Sequence, residues 1–201
     1  LLESSADNQY IIAGKSSSFG DFGYDGFLTK EEHDGQTLWL EVFGGVNPEA
    51  IYDLAETPDG GYILVGSTQS YGSMLKDVLV IKVDQNGVLE WTNTYGGNDL
   101  DEGKGVYIGE YGLLYLIGYT RSFGLGEADV WLLVIDAEGN ELNSFTFGTE
   151  LNNYGVGIIS DDSGHLIILS NGEISGYTDQ KISVRKIGLD GSQIWYNYHQ
   201  S

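Results

Sequence analysis

The chain has 201 residues, with 30 acidic against 9 basic side chains and a net charge of −21. That balance argues against nucleic acid as a partner, because phosphate binding needs Lys and Arg, and it disfavours anionic membrane surfaces. There is no cysteine, hence no disulfide or thiolate metal site, and no apolar run approaches the roughly 18 residues of a spanning helix, so no membrane insertion is expected.

The first ten residues, LLESSADNQY, lack a basic region followed by an apolar core, so no signal peptide is expected there. They read as a chain starting in mid-repeat, processed or cut from something longer. From that point the sequence falls on itself when shifted by 52 residues. Hairpin glycines stand at Gly35, Gly87, Gly139 and Gly191. A tryptophan column holds Trp39, Trp91 and Trp195, with Asn143 as its exception. An Asp column, Asp25, Asp77 and Asp129, opens a strand in three repeats and is Lys181 in the fourth. A middle-loop glycine recurs at Gly20, Gly72, Gly124 and Gly176, preceded by Phe19, Tyr71, Phe123 and Ser175.

The second repeat shows the elements plainly, with a strand period and no helical one. Ala50–Ala55 reads as a first strand, closed by the turn Pro58-Asp59-Gly60-Gly61. Tyr62–Gly66 and Asp77–Val83 are apolar nearly throughout, as strands buried on both faces are. Between them, Ser67–Lys76 is a polar loop. Asp84-Gln85-Asn86-Gly87 is a hairpin turn, since Asn-Gly supplies the positive φ it needs. Val88–Tyr95 alternates and is more polar, as an outer strand should be, and Gly96-Gly97 leads into the next copy. Four antiparallel strands grading from apolar to polar make a propeller blade. The expected fold is therefore an all-β propeller in one domain, residues 1–201. Its blades are 1–45, 46–97, 98–149 and 150–201, closed as four or part of a larger ring. Only Leu1–Ser5 remain of the first blade's first strand. A β-helix has shorter rungs, a sandwich would not repeat so regularly, and a helical solenoid needs a 3.6-residue pattern.

The string GGYILVGSTQSYG…DVLVIKVDQNGVLEWTNTYGG resembles a repeat common in large secreted or surface-anchored proteins of bacteria and archaea, understood as β-propeller blades. The resemblance covers essentially the whole chain. It implies the fold and an extracellular or cell-surface setting, and it implies no catalytic residues. The fourth repeat departs most, with Ile174-Ser175-Gly176 in the loop and Lys181 for Asp.

Candidate chemistry is sparse. His33, His165 and His199 fall in three different columns, which suits surface histidines and not convergent metal ligands. No G-x-S-x-G elbow occurs. Asn98-Asp99-Leu100-Asp101-Glu102 packs hard oxygens into five residues, making Asp99, Asp101 and Glu102 the candidate Ca²⁺ ligands, although the twelve-residue calcium loop is not matched. No other cofactor is expected.

In a propeller the loops between strands 2 and 3 and the loops between blades share one face. Here the former carry Phe19, Phe22, Tyr24, Tyr71, Phe123 and Tyr177, the candidate ligand-binding residues, and the latter carry Glu49, Asp99, Asp101, Glu102 and Glu150. Rings with carboxylates suit a glycan or a basic protein segment. The recurrence of Ser-aromatic-Gly in one column suits a structural role better, with the ring plugging its loop against the neighbouring blade. Unpaired strand edges and apolar blade faces at the two ends are expected to favour a homo-oligomer or filament. The expected function is a non-enzymatic extracellular or cell-surface module for binding, display or self-assembly. The alternative is a carbohydrate-active or other propeller enzyme using the acidic residues of the loop face.

Overall fold

A computed structural model describes residues 1–19, 23–73, 75–173 and 180–199. They form four antiparallel four-stranded sheets, each in sequence order. The first contains β1 (Leu2–Glu3), β2 (Tyr10–Ser16), β3 (Asp25–Glu31) and β4 (Thr37–Phe43). The second contains β5 (Glu49–Glu56), β6 (Tyr62–Thr68), β7 (Asp77–Val83) and β8 (Leu89–Tyr95). The third contains β9 (Asp101–Ile108), β10 (Leu114–Thr120), β11 (Asp129–Ile135) and β12 (Glu141–Phe147). The fourth contains β13 (Asn153–Ser160), β14 (Leu166–Glu173), β15 (Gln180–Ile187) and β16 (Gln193–His199). This all-β architecture fits the blades of a propeller.

Burial follows the apolar grading of the sequence. Every residue of β6, β7 and β11 is buried, whereas the fourth strands are largely exposed. The sheets pack face to face in series through three clusters. Ile11 and Leu28 of the first sheet meet Ile51, Leu64 and Ile81 of the second. Val65 and Val80 meet Val106, Leu116 and Leu133 of the third. Ile117 and Leu132 meet Ile158 and Ile168 of the fourth. The two outer sheets are each packed on one side only, and the described residues form no closed ring.

The 52-residue period is carried into the hydrogen bonds. Glu49 N donates to Tyr24 O at 2.7 Å, Asp101 N to Lys76 O at 2.8 Å and Asn153 N to Ala128 O at 2.7 Å, so each inner strand is tied to the preceding sheet at one equivalent point. The inner strands also bulge at one column. Tyr52, Lys104 and Val156 are each an extra residue against the facing strand. A bulge kinks a strand and re-aims the side chain it carries, and these three residues line one groove.

Candidate functional site

The repeated loop signature turns out to be a clamp. Asp25, Asp77 and Asp129 are buried at the start of the third strands. The Asp129 carboxylate accepts from Leu125 N at 2.7 Å and Gly126 N at 3.0 Å, and Asp77 accepts from Ser73 N and, at 3.1 Å, from Ser73 Oγ. A methyl built on Gly44, Gly96 or Gly148, or on Gly72 or Gly124, would overlap an oxygen of the same carboxylate. The glycine columns therefore exist to let the chain close around the Asp column.

The loop aromatics sit on these closures. Tyr71 Oη donates to Gly44 O of the preceding sheet at 2.9 Å. Phe123 lies over Gly97 and packs against Trp131, with ring centroids 5.5 Å apart. Phe19 meets Phe27 edge-on at 6.2 Å. Tyr71 and Phe123 thus plug a loop against the neighbouring sheet while staying half exposed. Phe22 and Tyr177 lie outside the described residues. Tyr24 has a different neighbour, the Lys15 ammonium.

The three carboxylates read as calcium ligands do not come together. Asp101 and Glu102 are neighbours on β9 and point to opposite sides of the strand. Asp101 Oδ2 accepts from Gly97 N at 2.8 Å and Ser122 Oγ at 2.7 Å. Asp99 turns back on its own loop to accept from Leu100 N at 2.7 Å. Glu102 lies between Lys76 Nζ at 2.6 Å and Lys104 Nζ. Among the described residues no three His, Asp or Glu side chains are grouped to hold a metal. The acidic run is instead a keystone for the loop between sheets. Glu49 does the same work one repeat earlier, accepting from Thr68 Oγ1 at 2.8 Å and Ser70 N at 3.2 Å.

The inner strand ends hold an assembly that no repeated motif marks. Lys104, on the bulge of β9, places Nζ 3.5 Å from the ring centroid of Tyr52 and 5.9 Å from that of Tyr119. Lys15 stands 5.2 Å from the Tyr24 ring and 5.7 Å from the Tyr52 ring. Tyr119 meets Tyr154 edge-on at 4.9 Å. Cation and ring thus alternate from Tyr24 to Tyr119, each close contact being worth about 0.5–2 kcal/mol. Beside Tyr52, Lys104, Tyr119 and Tyr154 opens a groove of about 410 Å³, completed by Gly155, Val156 and Asn171. The Asn171 Oδ1 atom is buried and accepts no hydrogen bond from the described residues. In a chain with a net charge of −21 and only 9 basic residues, Lys76 and Lys104 share the Glu102 carboxylate, and Lys15 stands beside the Tyr52 ring that Lys104 also contacts. The signal was present as irregularity. Lys15, Ser67, Tyr119 and Asn171 occupy one column, Tyr52, Lys104 and Val156 another, and neither column repeats.

Burial pulls the Glu102 carboxyl up, but hydrogen bonds from Lys104 and Lys76 outweigh it and hold the group below its ordinary value. Burial first, and the Glu102 charge second, push the Tyr119 phenol up, so the ring stays protonated. A depressed carboxyl stabilises the fold above its unfolded value, about 4.3, and that contribution is lost as pH falls through the lower folded value. Urea midpoints measured between neutral pH and about pH 3 should therefore fall less steeply for Glu102→Gln than for the unaltered chain. Parallel curves would show that the triad is not coupled to stability.

No known protein family and no curated protein matches the chain. Among solved structures, one described as that of the eukaryotic initiation factor aligns with a TM-score of 0.40 at 9% identity, over 95% of this chain and 52% of the other. This chain spans about half the length of that one. The likeness is too weak to bear on function.

Proposed function

We propose that the chain is a non-catalytic binding module, a segment of β-propeller acting outside the cell or at its surface, and that the groove at its inner strand ends takes a glycan bearing carboxylates. The observation that carries this is the lysine–tyrosine row from Tyr24 to Tyr154, a basic and aromatic strip inside a strongly acidic chain. Tyrosine rings offer apolar faces to sugar C–H groups, and the ammonium groups offer charge to a uronic acid. Asn171 lines the groove, and its amide offers a sugar hydroxyl both a donor and an acceptor. An extracellular setting is what the repeat resemblance implies. The enzyme reading is weaker because glycoside hydrolysis needs a carboxylic acid opposite a second carboxylate. Glu102 is held ionised by two lysines, and the groove's lining contributes no other carboxylate among the described residues.

Calorimetric titration with oligogalacturonate and with a neutral oligosaccharide of equal length tests the proposal. The acidic ligand is expected to bind. Tyr154→Ala and Lys104→Gln should each weaken it about tenfold, the scale of one lost stacking or charged contact. Equal binding of the neutral sugar, or indifference to both substitutions, would remove the groove as the site. Release of new reducing ends during the titration would establish the enzyme instead.

A second reading, self-assembly, is favoured by a separate observation. Leu169 and Ile182 on the open face of the fourth sheet are exposed, whereas their equivalents in the second and third sheets are buried against the next sheet.

A further inference from the structure

At the opposite end of the sheets, where the turns between strands 1 and 2 and between strands 3 and 4 lie, a cleft of about 760 Å³ opens over the seam between the second and third sheets. Its floor is apolar, made by Ile63, Ile108, Leu114 and the indole of Trp91. Trp91 Nε1 spans the seam to donate to Ala137 O at 3.1 Å. The rim is acidic, with Asp59, Glu90 and Glu138. The cation present, Lys82, is buried and already engaged, its Nζ standing 2.8 Å from Glu90, 3.1 Å from Asp59 and 3.1 Å from Val83 O.

The lining departs from the repeat where the cleft forms. In the first seam the places of Ile108, Leu114 and Ala137 are held by Glu56, Tyr62 and Gln85. There the Glu56 carboxylate accepts from Ser5 N at 2.9 Å, and the Tyr62 side chain is fully buried. In the third seam the place of Ile63 is filled by buried Tyr115, and that of Trp91 is Asn143. The second seam alone combines short aliphatic side chains with an indole wall.

The third repeat has also lost an ion pair found in the first two. Asp7 bonds Lys30 at 2.6 Å and Asp59 bonds Lys82 at 3.1 Å, but the same two places in the third repeat hold Tyr111 and Val134. Tyr111 lies on the lip of the cleft, 95% exposed, at a left-handed φ of 59°. That conformation is unfavourable for a residue with a bulky side chain. An exposed ring held in a strained turn beside an apolar cleft points to binding, since such strain persists where it serves a function.

We propose that this cleft docks a peptide segment of a partner protein that presents one large apolar side chain flanked by Lys or Arg. The apolar side chain enters over Trp91 and Leu114, the Tyr111 ring covers it, and the flanking cations meet Glu90, Asp59 and Glu138. The charge of the whole chain steers such a segment to it and turns acidic segments away. This proposal stands apart from the glycan groove, which lies at the other end of the sheets.

The test is selection of random peptides of about twelve residues, long enough to fill one cleft, on the full chain, followed by titration of a synthesised consensus peptide. The expected consensus has an aromatic or large aliphatic residue with at least two nearby Lys or Arg. Leu114→Tyr and Ile108→Glu install the residues that the first seam carries, so they are compatible with the fold. Each should weaken the peptide at least tenfold with an unchanged urea midpoint, and exchange of the peptide's Lys and Arg for Gln should weaken it as much. Tyr154→Ala should leave peptide binding unchanged. No enrichment, a neutral or acidic consensus, or equal binding to Leu114→Tyr would overturn the proposal. Loss of peptide binding in Tyr154→Ala would move the site to the groove.

Discussion

Asp129→Ala is expected to destabilise the chain by about 2–4 kcal/mol, and Gly148→Ala by a similar amount, yet the double variant should cost well under the sum. Asp129 is buried, and its Oδ2 atom satisfies Leu125 N and Gly126 N. Removing it leaves two backbone donors without partners in a loop that cannot simply turn to solvent, at about 1–3 kcal/mol each before relaxation. At Gly148 the difficulty is steric. A methyl there would overlap Asp129 Oδ1 and lie 2.7 Å from its Cγ, and the carboxylate cannot retreat without breaking its own bonds. In the Asp129→Ala background the methyl has room, so the second substitution loses most of its effect. Urea unfolding of the four proteins measures the coupling, expected at about 1–3 kcal/mol. Additivity within about 0.5 kcal/mol would show that the Asp column does not hold the closing glycine in place.

Much of the fold was legible because repetition constrains it. Asp84-Gln85-Asn86-Gly87 superficially suggests a calcium loop, but its turn chemistry reads correctly. Asp84 Oδ1 accepts from Asn86 N at 2.8 Å and Val88 N at 2.9 Å, and Gly87 takes φ of 82°. The structural role of the loop aromatics was legible for the same reason, since a ring at one column in several repeats packs on something that also repeats. The inner row was hidden by the bulges. Each inserts a residue at Tyr52, Lys104 or Val156, which breaks the strict alternation from which facing is read in a sequence. The acidic run misled for a related reason. Its composition suggests a loop able to gather its carboxylates, but β9 begins at Asp101, and a strand sends consecutive side chains apart. The Tyr111 cleft was invisible because it is made by absence, the loss of Glu56, Tyr62 and Gln85 equivalents at one seam.

In solution the chain is expected to exceed its single-chain mass of 21.9 kDa, and Leu169→Lys with Ile182→Lys is expected to return it to that mass. Leu169 is 41% exposed and Ile182 57%, while the residues at the same places in the preceding sheet, Ile117 and Val130, are at 0% and 1%. Those places form the face on which each sheet receives the next. The complementary face, the one each sheet presents to its predecessor, is open on the first sheet at Tyr10 and is buried at the same place in the second, Tyr62. The two open faces are therefore copies of the two halves of a contact that the chain makes three times internally. A second chain offering its Tyr10 face to the Leu169 face would reproduce it head to tail. Such a heterologous contact closes into a ring when the rotation permits and otherwise extends as a filament. Light scattering after size exclusion at several concentrations separates the outcomes. A discrete multiple of one chain marks a ring, a mass that climbs with concentration marks a filament, and the lysine variants should abolish either. A particle of one chain's mass at every concentration would leave no role for the open faces in self-assembly.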